Sequence, residues 1–445
     1  MANTLTYAYN FQSVLQREKN GLDLTLAKYN EVQKKDVPCF FWGKMTQPFI
    51  VSRCLITLSD TVQSSFNLSP FQLALLKDPI VTAGNQKIRF EGFSHCAGVY
   101  VRVDVLEDGH DGEFLENGTT NVDFNQDMIS SLGAVPRQGN MTLAVGKKEV
   151  QIVSQGKKVV ERKVPLPTKW IKGLTTVQHY LSESTHHYTL NRIQAVQLFR
   201  AIPKGKIKTD YYLVKRGNRL SFSPMKTKDA VVIGGIHRLH LLQNLLPLID
   251  QMKVFVHKNM QSVSFQLYFG SVVFSFSLSR NPWRGFSGEG ALLEELLEDI
   301  PEDLIQKMDN YSFANQEFNS TLLAIDSDSE FSKINNLTAK LSAMGLLGFE
   351  LESNQFFYRR LPFKLNRILS LNPRLKGVEK LLEQGKVHIV KNDGQKVEAR
   401  VEGSGVLHYV LLGDAEKCTC TWFSRNQGER GACKHILAVK KKIKY

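Results

Sequence analysis

Short runs in which apolar and polar residues alternate recur between residues 99 and 278, and each run predicts a β-strand. Val99, Val101, Val103 and Val105 form the clearest run. Because successive side chains of a strand point to opposite faces, a period of two indicates a strand rather than a helix. The other alternating positions are Met141, Leu143 and Val145, then Leu220 and Phe222, then Val272, Phe274, Phe276 and Leu278. Residues 215–218 predict a hairpin turn among them.

Between these strands, apolar residues recur at helical spacing and predict four short amphipathic helices. Their apolar positions are Phe71, Ala74 and Leu75; Met128, Leu132 and Val135; Ala195, Leu198, Phe199 and Ile202; Leu242, Leu245, Leu246 and Ile249. Four helix-then-strand units of roughly 50 residues predict a repeated α+β body, residues 1–286, with helices on one face of antiparallel sheets. A DNA sliding clamp has this element order, and so does a generic pair of α+β domains. Residues 71–76 include no Lys or Arg, which counts against clamp-type helices that contact phosphates.

Two further units are predicted after the body. Residues 287–330 hold twelve acidic residues against Lys307 alone and predict an acidic helical linker. In residues 331–400, Ile334, Leu337, Leu341 and Met344 share one helical face, and two strands joined by a turn at residues 353–354 follow. Helix, strand, turn and strand is the order of a winged helix. A small α+β packing unit has the same order, and no recognition helix rich in Arg or Asn precedes the strands.

The densest group of candidate metal ligands lies near the C-terminus, where a Cys-x-Cys pair is followed, after twelve residues, by a Cys-x-His pair. They supply Cys418, Cys420, Cys433 and His435. Three thiolates and one imidazole are a common tetrahedral ligand set for structural zinc. Residues 406–422 predict a hairpin that carries the first pair of ligands. Ile436, Val439 and Ile443 predict a helix that starts beside the second pair.

This stretch resembles the SWIM zinc finger, in which CxCx(n)CxH is followed by a short helix. The resemblance covers about the last 40 residues, so a finger is expected within residues 401–445. It implies zinc and a role in binding nucleic acid or protein, without catalysis. Residues 111–115, 118–125 and 282–287 resemble full-length bacterial SWIM proteins. That resemblance implies partners, namely a MoxR-type AAA ATPase and a von Willebrand A protein.

Charge favours a polyanionic partner for the C-terminal third. The chain carries a formal net charge of +14, although residues 287–330 are strongly acidic. Basic and aromatic residues mixed around the finger are typical of proteins that bind single-stranded nucleic acid. The candidate binding residues are Trp422, Arg425, Arg430, Lys434, Lys440, Lys441 and Lys442. A lysine-rich helix can equally be a solvated surface.

The sequence contains few signs of catalysis. It has no GxxxxGK[ST], GxGxxG, GxSxG or HExxH motif, so a nucleotide-hydrolysing activity would have to belong to a partner. One acidic cluster is a candidate cation site, but Gly109 and Gly112 favour a polar loop; its members are Asp104, Glu107, Asp108, His110, Asp111 and Glu113. Neither a signal peptide nor an apolar run of eighteen residues is present, which predicts a cytoplasmic protein without a membrane span. Cys39, Cys54 and Cys96 are then expected to be free buried thiols.

Three functions remain in competition at this level. The first is a non-enzymatic zinc protein that binds nucleic acid through its basic finger. The second is an adaptor or scaffold for a MoxR-type AAA ATPase and von Willebrand A system. The third, an enzyme, rests on the acidic cluster alone. Loss of nucleic-acid affinity with increasing salt would separate the first from the second, because phosphate contacts release counterions.

Overall fold

The structure is a computed structural model of the 445-residue chain. It describes residues 7–9, 14–18, 21–25, 29–31, 39–64, 79–164, 168–205, 207, 209–217, 219–281, 285–287, 317–326, 330–343, 346–359, 373–403, 405–428 and 431–444. These residues form an α+β protein in which all paired strands are antiparallel. None of the described helices is long and apolar enough to cross a membrane.

The described part of the first half of the body contains two helices. Among the described residues, four short strands precede β5 (Cys39–Met45) and form two antiparallel pairs. Strand β1 (Tyr7–Tyr9) pairs with β4 (Tyr29–Glu31), and β2 (Val14–Glu18) pairs with β3 (Gly21–Thr25). The elements that follow are β5 (Cys39–Met45), α1 (Pro48–Gln63), β6 (Ile80–Gly84), β7 (Lys87–Phe93), β8 (Val99–Val105), β9 (His110–Phe114), β10 (Gly118–Asn121), α2 (Gln126–Gly133), β11 (Met141–Gly146), β12 (Glu149–Ser154) and β13 (Lys157–Arg162).

The second half of the body also alternates helices with strands. Its elements are α3 (Thr168–Ser182), β14 (Ser184–Asn191), α4 (Arg192–Arg200), β15 (Tyr211–Arg216), β16 (Arg219–Ser223), β17 (Val231–Ile233), two 3-10 segments (Ile236–Leu242 and Leu246–Leu248), β18 (Gln251–His257), β19 (Ser262–Tyr268) and β20 (Val272–Ser279). The four alternating runs predicted from the sequence correspond to β8, β11, β16 and β20, and β15 and β16 form the predicted hairpin.

One sheet joins the two halves. Its strand order is β10-β6-β7-β8-β20-β19-β18-β14, so β8 of the first half pairs directly with β20 of the second. A five-stranded sheet (β13-β12-β11-β5-β9) and a three-stranded sheet (β16-β15-β17) complete the body. Every residue of β8 and of β20 is buried. The joining sheet therefore has protein on both faces, with α1 packed against β7, β8 and β20.

The predicted helices have mixed outcomes. The second and third are confirmed as α2 and α4, although Val135 and Ile202 are buried just beyond the helix ends. The fourth is a pair of 3-10 segments rather than an α-helix, with Pro247 at the start of the second. The first, at residues 71–75, lies outside the described residues. Helix α1 was not foreseen, although Val51, Cys54, Leu55, Leu58 and Val62 lie at helical spacing and are all buried.

A small unit packs on the polar face of the joining sheet. It contains β21 (Glu317–Phe318), α5 (Ser320–Asp326), α6 (Phe331–Ala343), β22 (Leu347–Glu350) and β23 (Gln355–Tyr358). The predicted helix, strand and returning strand are present, with Ile334, Leu337 and Leu341 buried. Met344 and most of the predicted acidic linker lie outside the described residues. Glu317 and Phe318 pair with β23, so the end of that predicted linker belongs to this sheet.

Buried charges join the small unit to the sheet. Arg89 donates to Glu317 at 2.8 Å and to Glu350 at 3.1 Å, and Arg102 donates to Asp104 at 2.8 Å. Arg359 of the small unit forms a fully buried ion pair with Glu91 of β7. Buried charges occur in such hydrogen-bonded pairs, because burying an unpaired charge has a large desolvation free energy.

The ring of Phe357 lies among these arginines. The Arg89 guanidinium is 4.1 Å from the ring centroid, and Arg102 and Arg359 lie at 5.4 and 5.9 Å. Gly348 on β22 makes room for the ring, because a Cβ there would lie 2.1 Å from Phe357 Cζ. Cation–π contacts therefore cover the polar face of the sheet at this point.

These pairs should make stability sensitive to acid. Burial alone would raise the pKa of both Glu91 and Glu350. The charge of Arg359 instead lowers the pKa of Glu91, and the charges of Arg102 and Arg89 lower the pKa of Glu350 to about 2. A carboxylate with a lowered pKa stabilises the fold above its unfolded pKa, and this contribution is lost as pH falls through the folded pKa. Burial raises the pKa of Asp104 to about 6, which has the opposite effect. We expect the urea midpoint to fall from pH 5 to pH 3; an unchanged midpoint would contradict these pairings.

The C-terminal unit has a separate hydrophobic core. It contains α7 (Pro373–Glu383), β24 (Val387–Asn392), β25 (Val397–Glu402), β26 (Leu407–Leu412), β27 (Lys417–Cys418), α8 (Thr421–Asn426) and α9 (Lys434–Lys444). The sheet order is β24-β25-β26-β27, with α9 packed on α7. The predicted boundary between residues 400 and 401 falls within β25. Residues from α7 onward share one core with the Cys and His ligands.

Candidate metal centre and basic surface

The four predicted ligands come together in the C-terminal unit. The ligand atoms of Cys418, Cys420, Cys433 and His435 all lie within 4.8 Å of one another, and the four residues are buried. Tetrahedral zinc–thiolate bonds of about 2.3 Å would separate neighbouring sulfurs by about 3.8 Å. The spacing of these atoms therefore fits one metal ion without rearrangement of the backbone.

Three different elements hold the ligands. Cys418 ends β27, which pairs with β26 as the predicted hairpin. Cys420 is the N-cap of α8, and its Sγ accepts a hydrogen bond from the Phe423 backbone N–H at 3.4 Å. Cys433 immediately precedes α9, and His435 is the second residue of that helix. The predicted helix is thus confirmed, whereas the short helix α8 between the ligand pairs was not foreseen.

The donor set favours a cation. The Nδ1 atom of His435 lies 3.7 Å from Cys418 Sγ, and the hydrogen bond shared by Cys418 and Cys433 lowers the pKa of Cys433 while it raises that of Cys418. Three buried thiols cannot all ionise side by side without a compensating positive charge, which a bound divalent cation supplies. The residues present therefore fit a metal centre.

Helix α9, which contains the ligand His435, covers one side of the core of the C-terminal unit. Ile436 and Val439 are fully buried, as the helical spacing predicts. Ile443 also lies on α9, but its side chain is 37% exposed near the end of the helix. The imidazole of His435 stacks on that of His408 from β26, with ring centroids 4.3 Å apart. Packing from α9 and β26 therefore fixes the orientation of the imidazole ligand.

The predicted nucleic-acid-binding residues lie in different environments. Arg425 on α8 is exposed, and Lys434 and Lys441 are half-buried. Arg430 lies outside the described residues. Trp422 is half-buried, and the Arg374 guanidinium lies 4.8 Å from its ring centroid. These placements leave Arg425, Lys434 and Lys441 as the members whose charges are best displayed.

Two of the predicted lysines contact acceptors within the unit. Lys440 forms a salt bridge with Glu416. Lys442 donates to the Val387 carbonyl at 2.6 Å. Both therefore contribute to holding α9 on the sheet. The exposed Arg400 and Tyr409 were missed. The alternation along β25 was the signal that could have placed Arg400 on an outer face.

The acidic cluster of the body does not form a cation site. Asp104 is buried and paired with Arg102, and Glu107–Gly109 is a 3-10 turn. His110–Phe114 is strand β9 rather than the predicted loop, and it pairs with β5. Within the part of the chain that the structure describes, the C-terminal ligands are the one group of three or more Cys, His, Asp or Glu residues arranged for a metal.

Comparisons with known proteins do not identify a family. No protein-family model and no curated protein matches the chain. The chain is similar in structure to proliferating cellular nuclear antigen from Entamoeba histolytica, at 13% identity and a TM-score of 0.35, and to the PCNA2-PCNA3 complex from Sulfolobus tokodaii, at 9% and 0.41. Each match covers 54% of this chain and 98% of the other. Both TM-scores are below 0.5, so neither likeness carries an argument about function. The SWIM resemblance stays a prediction, because no family model matches the chain.

Proposed function

We propose that this is a non-enzymatic zinc protein that binds nucleic acid through its C-terminal unit. The metal is proposed to be zinc, since three thiolates and one imidazole in a closed, buried site are typical of structural zinc. The observation that carries the proposal is the charge displayed around the centre. Residues 373–445 hold fifteen Lys and Arg against eight Asp and Glu. Arg425 and Lys434 each lie within five residues of a ligand.

Rigid display favours binding to phosphates. Arg425 lies on α8, which starts at the ligand Cys420, and Lys434 lies between the ligands Cys433 and His435. The Lys434 side chain also lies against Gly377 of α7, where a Cβ would be 3.1 Å from its Cδ. Side chains that are ordered before contact lose less conformational entropy on binding.

Helices α1 and α2 of the body are not part of the proposed nucleic-acid interface. Arg53, the single Lys or Arg of α1, donates to the Gly133 carbonyl at 2.7 Å, and α2 has no Lys or Arg. A clamp-like organisation of the body remains a proposal supported by its repeated order of helix and strands. The proposed role of the body is to position the C-terminal unit.

A salt titration tests the proposed function. Replacing Arg425, Lys434 and Lys441 together by Ala should weaken binding to all sequences alike, since phosphate contacts carry no sequence information. The slope of log affinity against log salt should fall by about 0.7 to 0.9 for each phosphate that the variant no longer neutralises. Fluorescence anisotropy with a labelled oligonucleotide measures both quantities.

The matched control removes the same charge from the body. Arg219, Lys226 and Lys228 are exposed there, and their replacement by Ala should leave affinity and slope unchanged. If both triple variants lose the same affinity, net charge rather than this surface drives binding. If the parent protein binds no oligonucleotide at low salt, the proposed function is wrong.

An adaptor role for a MoxR-type AAA ATPase and von Willebrand A system is the second candidate. The small unit exposes Leu322 (59%), Ile325 (69%) and Phe331 (50%) on α5 and at the start of α6. Exposed apolar side chains grouped in this way are typical of protein–protein contact sites. On this hypothesis, replacing all three by Ser would remove a protein partner in co-purification and leave nucleic-acid binding unchanged.

A further inference from the structure

The C-terminal sheet has an outer face that its helices do not cover. Val397, Ala399 and Val401 of β25 point into the core, whereas Glu398, Arg400 and their neighbours on that face alternate with them. On β26, the outer positions are Leu407 (41% exposed) and Tyr409 (53% exposed). An aromatic ring left half in solvent beside other exposed apolar side chains indicates a binding surface.

This face forms one wall of an open groove. The groove has a volume of about 870 Å³, and its lining includes Arg400, Tyr409, Lys417 and Phe423. Phe423 belongs to α8, the helix capped by the ligand Cys420. The metal centre thus fixes the distance between the two walls of the groove. A groove of this size can hold a planar ring of nucleobase size against Tyr409.

The charge of the groove favours an anionic ligand. The Arg400 guanidinium is 5.6 Å from the Tyr409 ring centroid. Among the residues that the structure describes, neither Arg400 nor Lys417 forms an ion pair, while the neighbouring Glu416 is paired with Lys440. The remaining acid, Glu398, lies opposite Lys391 in the strand register.

We propose that this outer face is a stacking platform for the unpaired bases of single-stranded nucleic acid. Tyr409 stacks a base, and Arg400 and Lys417 contact the flanking phosphates. Stacking requires a base whose face is open, which a duplex does not offer, and it tolerates any base because every base has a π-face. The inference rests on the proposed nucleic-acid function and names its substrate class as single strands.

The test uses the full-length, zinc-loaded protein with Tyr409 replaced by Leu or by Phe. The strand should survive both changes, because Tyr409 pairs with Thr419 through its backbone: its N–H donates to Thr419 Oγ1 at 3.0 Å, and its carbonyl accepts from Thr419 N–H at 3.1 Å. The probes are a labelled 20-nucleotide oligo(dT) and its duplex with oligo(dA). Metal content per chain confirms that each variant is folded at the centre.

We expect Tyr409→Leu to weaken oligo(dT) binding by about 5- to 150-fold, the range found for base–aromatic stacking. Tyr409→Phe should retain parental affinity, since the ring remains. Affinity for the duplex should not change in either variant. Val406→Ala, at an exposed apolar side chain of the same unit that does not line the groove, is the matched control and should also retain parental affinity.

Each of the following three outcomes would contradict the proposed stacking platform. Full oligo(dT) affinity in Tyr409→Leu would show that binding occurs elsewhere, and the proposed nucleic-acid function would then still stand. Equal losses in the Leu and Phe variants would show that the hydroxyl matters and not stacking. No binding of either probe by the parent protein would remove both the platform and the proposed function.

Discussion

Chelation of the metal is expected to unfold the C-terminal unit, while the described parts of the body and of the small unit stay folded. The second core is small, and three of its buried residues are the ligands Cys418, Cys420 and Cys433. In small zinc domains the binding free energy, about 10–16 kcal/mol at neutral pH, is folding free energy. Without it, three buried thiols would be left without the cation that compensates them.

Hydrogen exchange with and without a strong chelator measures this effect. Amides of β25, β26 and α9 should lose their protection, and those of β8 and β20 should keep theirs. Elemental analysis should give close to one zinc per chain. Cys433→Ser should abolish the metal, and the control Cys96→Ser, at a half-buried thiol outside the centre, should retain it. Equal protection of the unit in both samples would refute the structural role of the metal.

Replacing Arg359 by Met is expected to lower the free energy of unfolding by about 3–5 kcal/mol. The change leaves Glu91 fully buried with only the Tyr100 hydroxyl as a hydrogen-bond donor among the contacts described. Breaking one partner of a buried pair has a cost of this size, because the other charge cannot regain water. Denaturant unfolding followed by far-UV circular dichroism measures the difference.

A double variant separates the pair from simple loss of packing. Adding Glu91→Gln to Arg359→Met removes the orphaned charge, so the double variant should be more stable than Arg359→Met alone. The control pair is Lys333 and Glu330, whose side chains are 72% and 70% exposed. Lys333→Ala should change stability by less than about 1 kcal/mol. A similar small effect for Arg359→Met would show that the small unit does not depend on this ion pair.

The sequence predicts which residues of a strand share a face better than it predicts what each face packs against. The valines of β8 alternate as expected, but Arg102 and Asp104 between them have the pattern of a solvent-exposed face. They are buried because residues 317–359 cover them. No local pattern carries that information, since the covering unit lies more than 200 residues further along the chain. A separation of about 170 residues likewise conceals the pairing of β8 with β20.

The metal ligands could be predicted because their spacing alone defines them. The outer position of Tyr409 could not, since residues 407–412 are almost all apolar or aromatic and do not distinguish one face from the other. Only the packing of α7 and α9 on one side shows which face remains exposed. Likewise, lysines 440 and 442 have the pattern of a free basic surface until the fold brings Glu416 and Val387 to them.

The pairing of β8 with β20 also has a consequence for biosynthesis. About 170 residues separate the two strands, and a ribosome adds about 5–20 residues per second. The edge of β8, with its valines, therefore waits about 10–30 s for its partner to emerge. During this interval one edge of β8 has no partner strand, although its other edge can pair with β7, and an open edge is a template for aggregation. We therefore expect the first half of the body to need protection by a chaperone until β20 has been made.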